Sequence, residues 1–224
     1  MSVIVVDIET LPDLTEGHMD RAAESVAHPA QMKKPETIKA WHEGLAPYEG
    51  VKDSIVREKH RRTALSGDYG TILCICAIDF ETGERATFYA DGPGIDEPFT
   101  INTFWEWCDR VTGHKLANPY FIAHNAEFDL SFLWKRSIVH GIEPLVKRNG
   151  RHGKDHFCTS IGWAGYKDRI SLDNLAKILK LDSHKGDMDG SKVYDAWLNG
   201  EHKEIQSYCM NDVLLTSRIY ERIK

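Results

Sequence analysis

Four carboxylates in three separated segments are the residues of this chain best suited to chemistry. Asp7 and Glu9 follow the apolar run Val3-Ile4-Val5-Val6 in Asp7-Ile8-Glu9-Thr10. Asp129 closes His124-Asn125-Ala126-Glu127-Phe128-Asp129, and Asp212 stands four residues after Tyr208 in Tyr208-Cys209-Met210-Asn211-Asp212. Gathered in a partly dry cleft, these acids could not all ionise unaided, because like charges raise one another's proton affinity. Divalent cations relieve that repulsion, and a carboxylate cluster holding two metal ions is suited to breaking phosphodiester bonds.

Each segment needs an element to place it. Residues 3–8 read as a buried strand. Alternate strand residues point the same way, so Asp7 and Glu9 are expected to face one cleft, about 6.6 Å apart at roughly 3.3 Å per residue. Phe121-Ile122-Ala123 reads as a short strand leading into His124-Asn125, and 126–139 as a helix with Asp129 in its first turn, where the dipole favours an acid. Tyr208 and Asp212, at i and i+4, share one face of a final helix over roughly 203–222. Taken singly, each segment has an ordinary reading: an exposed strand end, an acid at a helix start, a boundary tyrosine with a solvated aspartate. Asn125 and Phe128 add an amide and an aromatic ring, groups that hydrogen-bond to and stack on an unpaired nucleotide.

Elsewhere the pattern alternates strands and helices. Residues 12–68 form a polar excursion with helical composition at 19–27, 35–45 and 51–64, punctuated by Pro12, Pro29, Pro35 and Pro47. Strand character returns at 71–80 and 86–90, around the hairpin loop Glu81-Thr82-Gly83-Glu84. Ile101, Phe104, Trp105 and Cys108 mark a helix over 101–113. Leu172, Leu175, Ala176 and Leu179 mark another, and Val193, Ala196 and Trp197 a short third. The expectation is an α/β fold, a mixed β-sheet flanked by helices with a helical insertion after the first strand. Residues 1–224 are read as a single domain, with 12–68 as the insertion.

Composition narrows the classes. With 42% hydrophobic and 28% charged residues the chain reads as soluble and globular, its apolar runs too short to span a bilayer. No signal peptide is read, so a cytoplasmic protein of a bacterial cell or phage-infected host is expected, with no membrane partner. A net charge of −6 argues against coating DNA through bulk charge. Two basic strips, Arg57, Lys59, His60, Arg61 and Arg62, then Lys147, Arg148, Arg151 and Lys154, read either as solvated surface or as phosphate contacts. Cys74 and Cys76 share one strand face but have no second Cys or His pair at zinc-finger spacing. They read as small buried fillers. His114, His140, His152 and His156 have no ligand spacing.

Together, in this order, the motifs resemble the DnaQ-like (DEDD) superfamily of 3′–5′ exonucleases, in its tyrosine type, and more closely the exonucleases related to family B DNA polymerase proofreading domains. The resemblance also draws on Ser171-Leu172-Asp173-Asn174-Leu175-Ala176 and Met188-Asp189-Gly190-Ser191-Lys192-Val193, and runs nearly end to end except for 12–68. The sister group carries histidine five residues before its last aspartate, where this chain has Ser207.

The resemblance implies a ribonuclease H-like fold and two Mg²⁺ or Mn²⁺ ions bound by Asp7, Glu9, Asp129 and Asp212, with Asp7 bridging both. It implies that Tyr208 orients the attacking water, remaining protonated since a phenol's usual pKa is near 10. Thr10 and Leu11 stand where relatives offer a backbone amide and an apolar wedge to the terminal nucleotide. Phe128 either flanks the next base or packs in the core, and His124 supports or positions substrate. The implied activity is release of nucleoside monophosphates from the 3′ end of DNA, single-stranded or frayed. An exoribonuclease of the same superfamily is the alternative, as is a nucleic-acid-binding or partner-docking module with weak catalysis. The length leaves no room for a polymerase domain, so action beside a polymerase or another replication or repair protein is expected in trans. Residues 12–68 are expected to form a helical flap near the 3′-end channel, gripping phosphate through 57–62.

Overall fold

The apolar run at the N-terminus forms β1, Val3–Leu11, with Ile4, Val5 and Val6 fully buried. In this computed structural model, which describes residues 2–90, 96–113, 119–146, 156–182 and 188–224, β1 is the middle strand of a sheet. Its companions are β2 (Thr71–Asp79), β3 (Arg85–Tyr89), β4 (Tyr120–Ala123) and β5 (His156–Cys158), in the order β3-β2-β1-β4-β5. β1 runs parallel to β4 with Val5 opposite Ile122, β4 runs parallel to β5, and β2 pairs antiparallel with β3 with Cys76 opposite Thr87. The hairpin between β2 and β3 is held by Asp79, whose carboxylate accepts from Glu81 N (3.1 Å) and Thr82 Oγ1 (2.8 Å), while Gly83 takes a φ of 77°.

Nine α-helices are described: α1 (His18–Glu24), α2 (Pro35–Glu43), α3 (Val51–Arg62), α4 (Glu97–Thr112), α5 (Ala126–Val139), α6 (Thr159–Ala164), α7 (Leu172–Ile178), α8 (Val193–Leu198) and α9 (His202–Ile223). This is the expected mixed α/β sheet flanked by helices, the ribonuclease H-like architecture. Strand pleating sorts the core. Ile4, Val6 and Ile8 join Phe104, Trp105, Phe121, Phe132 and Leu133 on the side of α4 and α5. Val5, Cys74, Cys76, Ile78 and Ile122 join Cys209 and Val213 of α9 on the other. Odd-numbered residues of β1 therefore share the α9 side, which is the face that Asp7 and Glu9 continue.

A buried polar knot ties α4 and α5 to β2. Arg136 meets Glu97 through two hydrogen bonds, Nε to Oε1 at 2.9 Å and Nη2 to Oε2 at 2.7 Å. Glu97 also accepts from Ile72 N at 2.7 Å and lies 2.6 Å from His140 Nε2, so its burial is compensated on both oxygens. Trp105 Nε1 donates to Ser137 Oγ at 2.9 Å beside it. The helical capping of the later motifs is also local. Ser171 caps α7 by accepting from Asn174 N, and Asp189 caps the 3₁₀ turn Gly190–Lys192 by accepting from Ser191 N.

The chain divides into two compact units, residues 1–10 with 72–224, and residues 11–71. The second unit contains α1, α2 and α3 around Ala22, Val26, Trp41 and Val56. Its two ends are joined by Asp13, whose N–H donates to Thr63 Oγ1 (2.8 Å) and whose carbonyl is met by His60 Nε2 (2.8 Å). Among the described residues no helix is long and apolar enough to cross a membrane.

Candidate active site

β1, α5 and α9 bring the acids of the three motifs near enough for the charges of Asp129, Glu9 and Asp212 all to act on Asp7. The pleat of β1 sends Asp7 and Glu9 to the same side, and one oxygen from each lies within 4.8 Å of the other and of the Cys209 sulfur. Glu9 is buried and Asp7 partly so. Asp129 arrives from the first turn of α5. Asn125, at the turn from β4, adopts the left-handed conformation (φ 68°) that asparagine tolerates better than most residues, and its carbonyl accepts from Phe128 N at 2.8 Å. That turn aims α5 so that the buried Asp129 carboxylate accepts the main-chain N–H of Ile8, between Asp7 and Glu9. Asp212 is buried on α9, and the Tyr208 hydroxyl one turn earlier donates to it. The Cys209 thiol donates to the Asp7 carbonyl at 3.4 Å, fastening α9 to β1.

The electrostatics follow from crowding acids in a dry place. Burial raises the Asp7 carboxyl well above the ordinary carboxylate range, and the charges of Asp129, Glu9 and Asp212 raise it further. Asp129 is pushed up to about 8, chiefly by burial and also by Asp212, against opposing hydrogen bonds from its own main-chain N–H and that of Ile8. The Tyr208 hydroxyl is pushed far upward by burial and by Glu9, Asp212 and Asp7, so it stays protonated. Asp7 Oδ2 is buried and accepts no hydrogen bond among the described residues. An orphaned carboxylate oxygen facing other acids is the environment in which a cation is the missing partner, so these residues fit divalent metal ions.

The remaining candidate residues are placed as follows. Asn125 is exposed at the turn, and Phe128 is half-buried, packed on the core with its ring 5.5 Å from that of Phe132. His124 has both ring nitrogens engaged, Nδ1 with Thr159 Oγ1 at 2.8 Å and Nε2 with the Ile170 carbonyl at 2.9 Å. It links the end of β4 to α6 and to the segment before α7. Thr10 is half-buried, and Leu11 has no exposed surface.

The first basic strip is less uniform than its sequence suggests. Lys59 Nζ donates to the Ser25 carbonyl, His60 is buried, and Arg62 pairs with Glu58 one helical turn away at 3.8 Å. Arg57, Arg61 and Arg62 remain exposed on α3. Lys147, Arg148, Arg151 and Lys154, with His114 and His152, lie outside the described residues. One feature escaped the sequence. Cys209 joins Cys74 and Cys76 in a cluster of three buried thiols, for which the only linear signal was the i, i+2 spacing on β2.

Residues 68–224 match a family described as "Predicted 3'-5' exonuclease related to the exonuclease domain of PolB". The matched span holds Asp129, Tyr208 and Asp212, and Asp7 and Glu9 precede it. No curated protein matches the chain. Among solved structures, Brucella melitensis NrnC bound to pGG is similar over 98% of this chain and 70% of that one, at 12% identity and a TM-score of 0.42. With more than half of its length matched, the chain belongs to the family of 3′–5′ exonucleases related to the exonuclease domain of PolB.

Proposed function

We propose that this exonuclease removes nucleotides from the 3′ end of DNA, preferring single-stranded or frayed ends, and releases nucleoside 5′-monophosphates. The observation that carries the reading is the Asp7 carboxylate, with a buried oxygen lacking a donor among the described residues and three further acids raising its proton affinity. A carboxylate donor set suits hard ions, and we assign two Mg²⁺ or Mn²⁺ ions to Asp7, Glu9, Asp129 and Asp212. Bound there, such ions supply the positive charge that lowers the pKa of an attacking water and stabilises a leaving 3′ oxygen.

The protein's own groups orient the reaction. Tyr208 stays protonated and keeps its hydroxyl on Asp212, so it steers water by hydrogen bonding and does not take its proton. Water's oxygen bonds to the terminal phosphorus as the bond to the 3′ oxygen breaks. The attacking water gives up a proton to solvent, and the 3′ oxygen takes one up to leave as the 3′-hydroxyl of the shortened strand. Asn125 and Phe128, at the turn between β4 and α5, bind the terminal nucleotides together with Thr10, and His124 braces the turn from behind. The relation to the exonuclease domain of PolB supports DNA over RNA. It also supports a polymerase, or another replication or repair protein, as a partner in trans. In this reading residues 12–68 are an insertion that serves a single catalytic domain.

The test is turnover of matched 5′-labelled DNA and RNA oligonucleotides with free and blocked 3′ ends, with and without Mg²⁺ or Mn²⁺. The expected result is a metal-dependent ladder from the free 3′ end of DNA. Absence of a ladder with either metal overturns the catalytic reading and favours a binding module, and faster turnover of RNA overturns the substrate assignment.

A further inference from the structure

We propose that the thiols of Cys74, Cys76 and Cys209 form a binding site for a thiophilic divalent cation of the zinc class, adjoining the carboxylate site. All three residues are fully buried, and their sulfurs lie within 4.8 Å of one another. Two come from one strand. Residues i and i+2 of β2 share a face, and the Cys74 and Cys76 sulfurs are 3.8 Å apart. The third comes from α9, 133 residues further along the chain, packed onto that same face.

The spacing is what a thiolate site requires. A zinc–sulfur bond of about 2.3 Å with tetrahedral angles sets neighbouring sulfurs roughly 3.8 Å apart. Three soft donors select soft or borderline cations and leave Mg²⁺, which prefers oxygen, to the acids. Carboxylate oxygens of Asp7 and Glu9 lie within 4.8 Å of the Cys209 sulfur, so the thiol cluster adjoins the acids through that one residue. Among the described residues the thiols otherwise meet weak partners. Cys209 donates to the Asp7 carbonyl, and Cys76 approaches Thr87 Oγ1 at 3.5 Å and the Gln206 carbonyl at 3.8 Å.

Binding is an exchange of protons for metal. Each coordinating thiol releases its proton to solvent, the cation bonds to the resulting thiolate, and the Cys209 S–H bond to the Asp7 carbonyl is lost. Three thiolates on a dication leave a single net negative charge, within a cluster that also contains Val5, Ile78, Ile122 and Val213. Cys209 lies close to Asp7 as well as to the other two sulfurs. A thiophilic cation is therefore expected to inhibit the exonuclease, a consequence that rests on the proposed function while the site itself does not.

The experiment titrates the reduced, metal-stripped chain with Cd²⁺ in excess Mg²⁺. We expect sulfur-to-cadmium charge-transfer absorption that saturates at one equivalent. It should disappear in Cys76→Ser and in Cys209→Ser, and persist in Cys108→Ala, a buried cysteine outside the cluster, and in the inactivated Asp212→Asn chain. No charge-transfer band in the wild-type chain, or a band that survives both serine variants, overturns the proposal. Should those variants fail to fold, zinc-edge X-ray absorption of the wild-type chain decides. Three sulfur neighbours support the site, and an oxygen- and nitrogen-only shell refutes it.

Discussion

The main-chain N–H of Ile8 donates to the carboxylate of Asp129, so an acid of α5 is anchored on the strand that carries Asp7 and Glu9. The bond spans two elements more than a hundred residues apart in sequence, and it holds Asp129 where burial pushes its carboxyl up to about 8. The folded chain therefore keeps a proton that the unfolded chain gives up near 4. Proton binding in the folded state exceeds that in the unfolded state across this interval, so stability of the metal-free protein declines from about pH 4 to pH 8. Thermal unfolding in chelator across that range should show a falling midpoint, with a shallower fall in Asp129→Asn. Added Mg²⁺ should offset the loss, because a ligand of the folded state stabilises it.

Asp7 and Asp212 carry the heaviest expected penalties on turnover. Asp7→Asn or Asp212→Asn should lower kcat by about a thousandfold, on the scale of removing a transition-state electrostatic contact. Without metal, Asp7→Asn should also raise the thermal midpoint, since it removes one of the mutually repelling acids. A midpoint that drops in chelator would contradict the electrostatic account of this site.

Tyr208→Phe removes one hydroxyl while leaving the ring in place. The expected fall in kcat is roughly ten- to a hundredfold, the worth of a charge-assisted hydrogen bond. The pH–rate profile should keep its shape, because the Tyr208 hydroxyl is pushed too high to titrate in the working range. Loss of an ascending limb in the variant would instead make Tyr208 a titrating base.

Arg136 is a stability residue. Arg136→Ala leaves Glu97 buried without its cation and should cost about 3 to 5 kcal/mol in urea unfolding, as for other broken buried ion pairs. Conversion of both partners to apolar residues should recover much of the loss.

On α3, the triple change Arg57→Glu, Arg61→Glu and Arg62→Glu tests the phosphate-gripping role expected of the insertion. Affinity for single-stranded DNA should fall, and the slope of log K against log salt should become shallower by about 0.7 per lost phosphate contact. Unchanged binding would assign α3 to a structural or docking role. Lys59 and His60 are left out because they are engaged within their own unit.

Legibility in the sequence followed the range of the forces involved. The α5 helix occupies the residues expected from its pattern, and α9 departs from its expected span by one residue at each end. α9 carries its apolar face through Ile205, Cys209 and Ile219. β5 and α6 were missed: His156–Cys158 is three residues long and Thr159–Ala164 six, too short to show a period. β5 exists because β4 offers it an edge, pairing Ile122 with Phe157, which no local pattern records.

Local order along the chain was enough to name the acids, the tyrosine and the strands and helices that bear them, since pleat and helical turn are properties of neighbouring residues. What needed tertiary structure was convergence. The Ile8–Asp129 bond, the raised proton affinities and the meeting of Cys209 with Cys74 and Cys76 depend on packing α5 and α9 against opposite sides of one sheet. Distances between remote segments are set by how whole faces fill space, and that information resides in the assembled core.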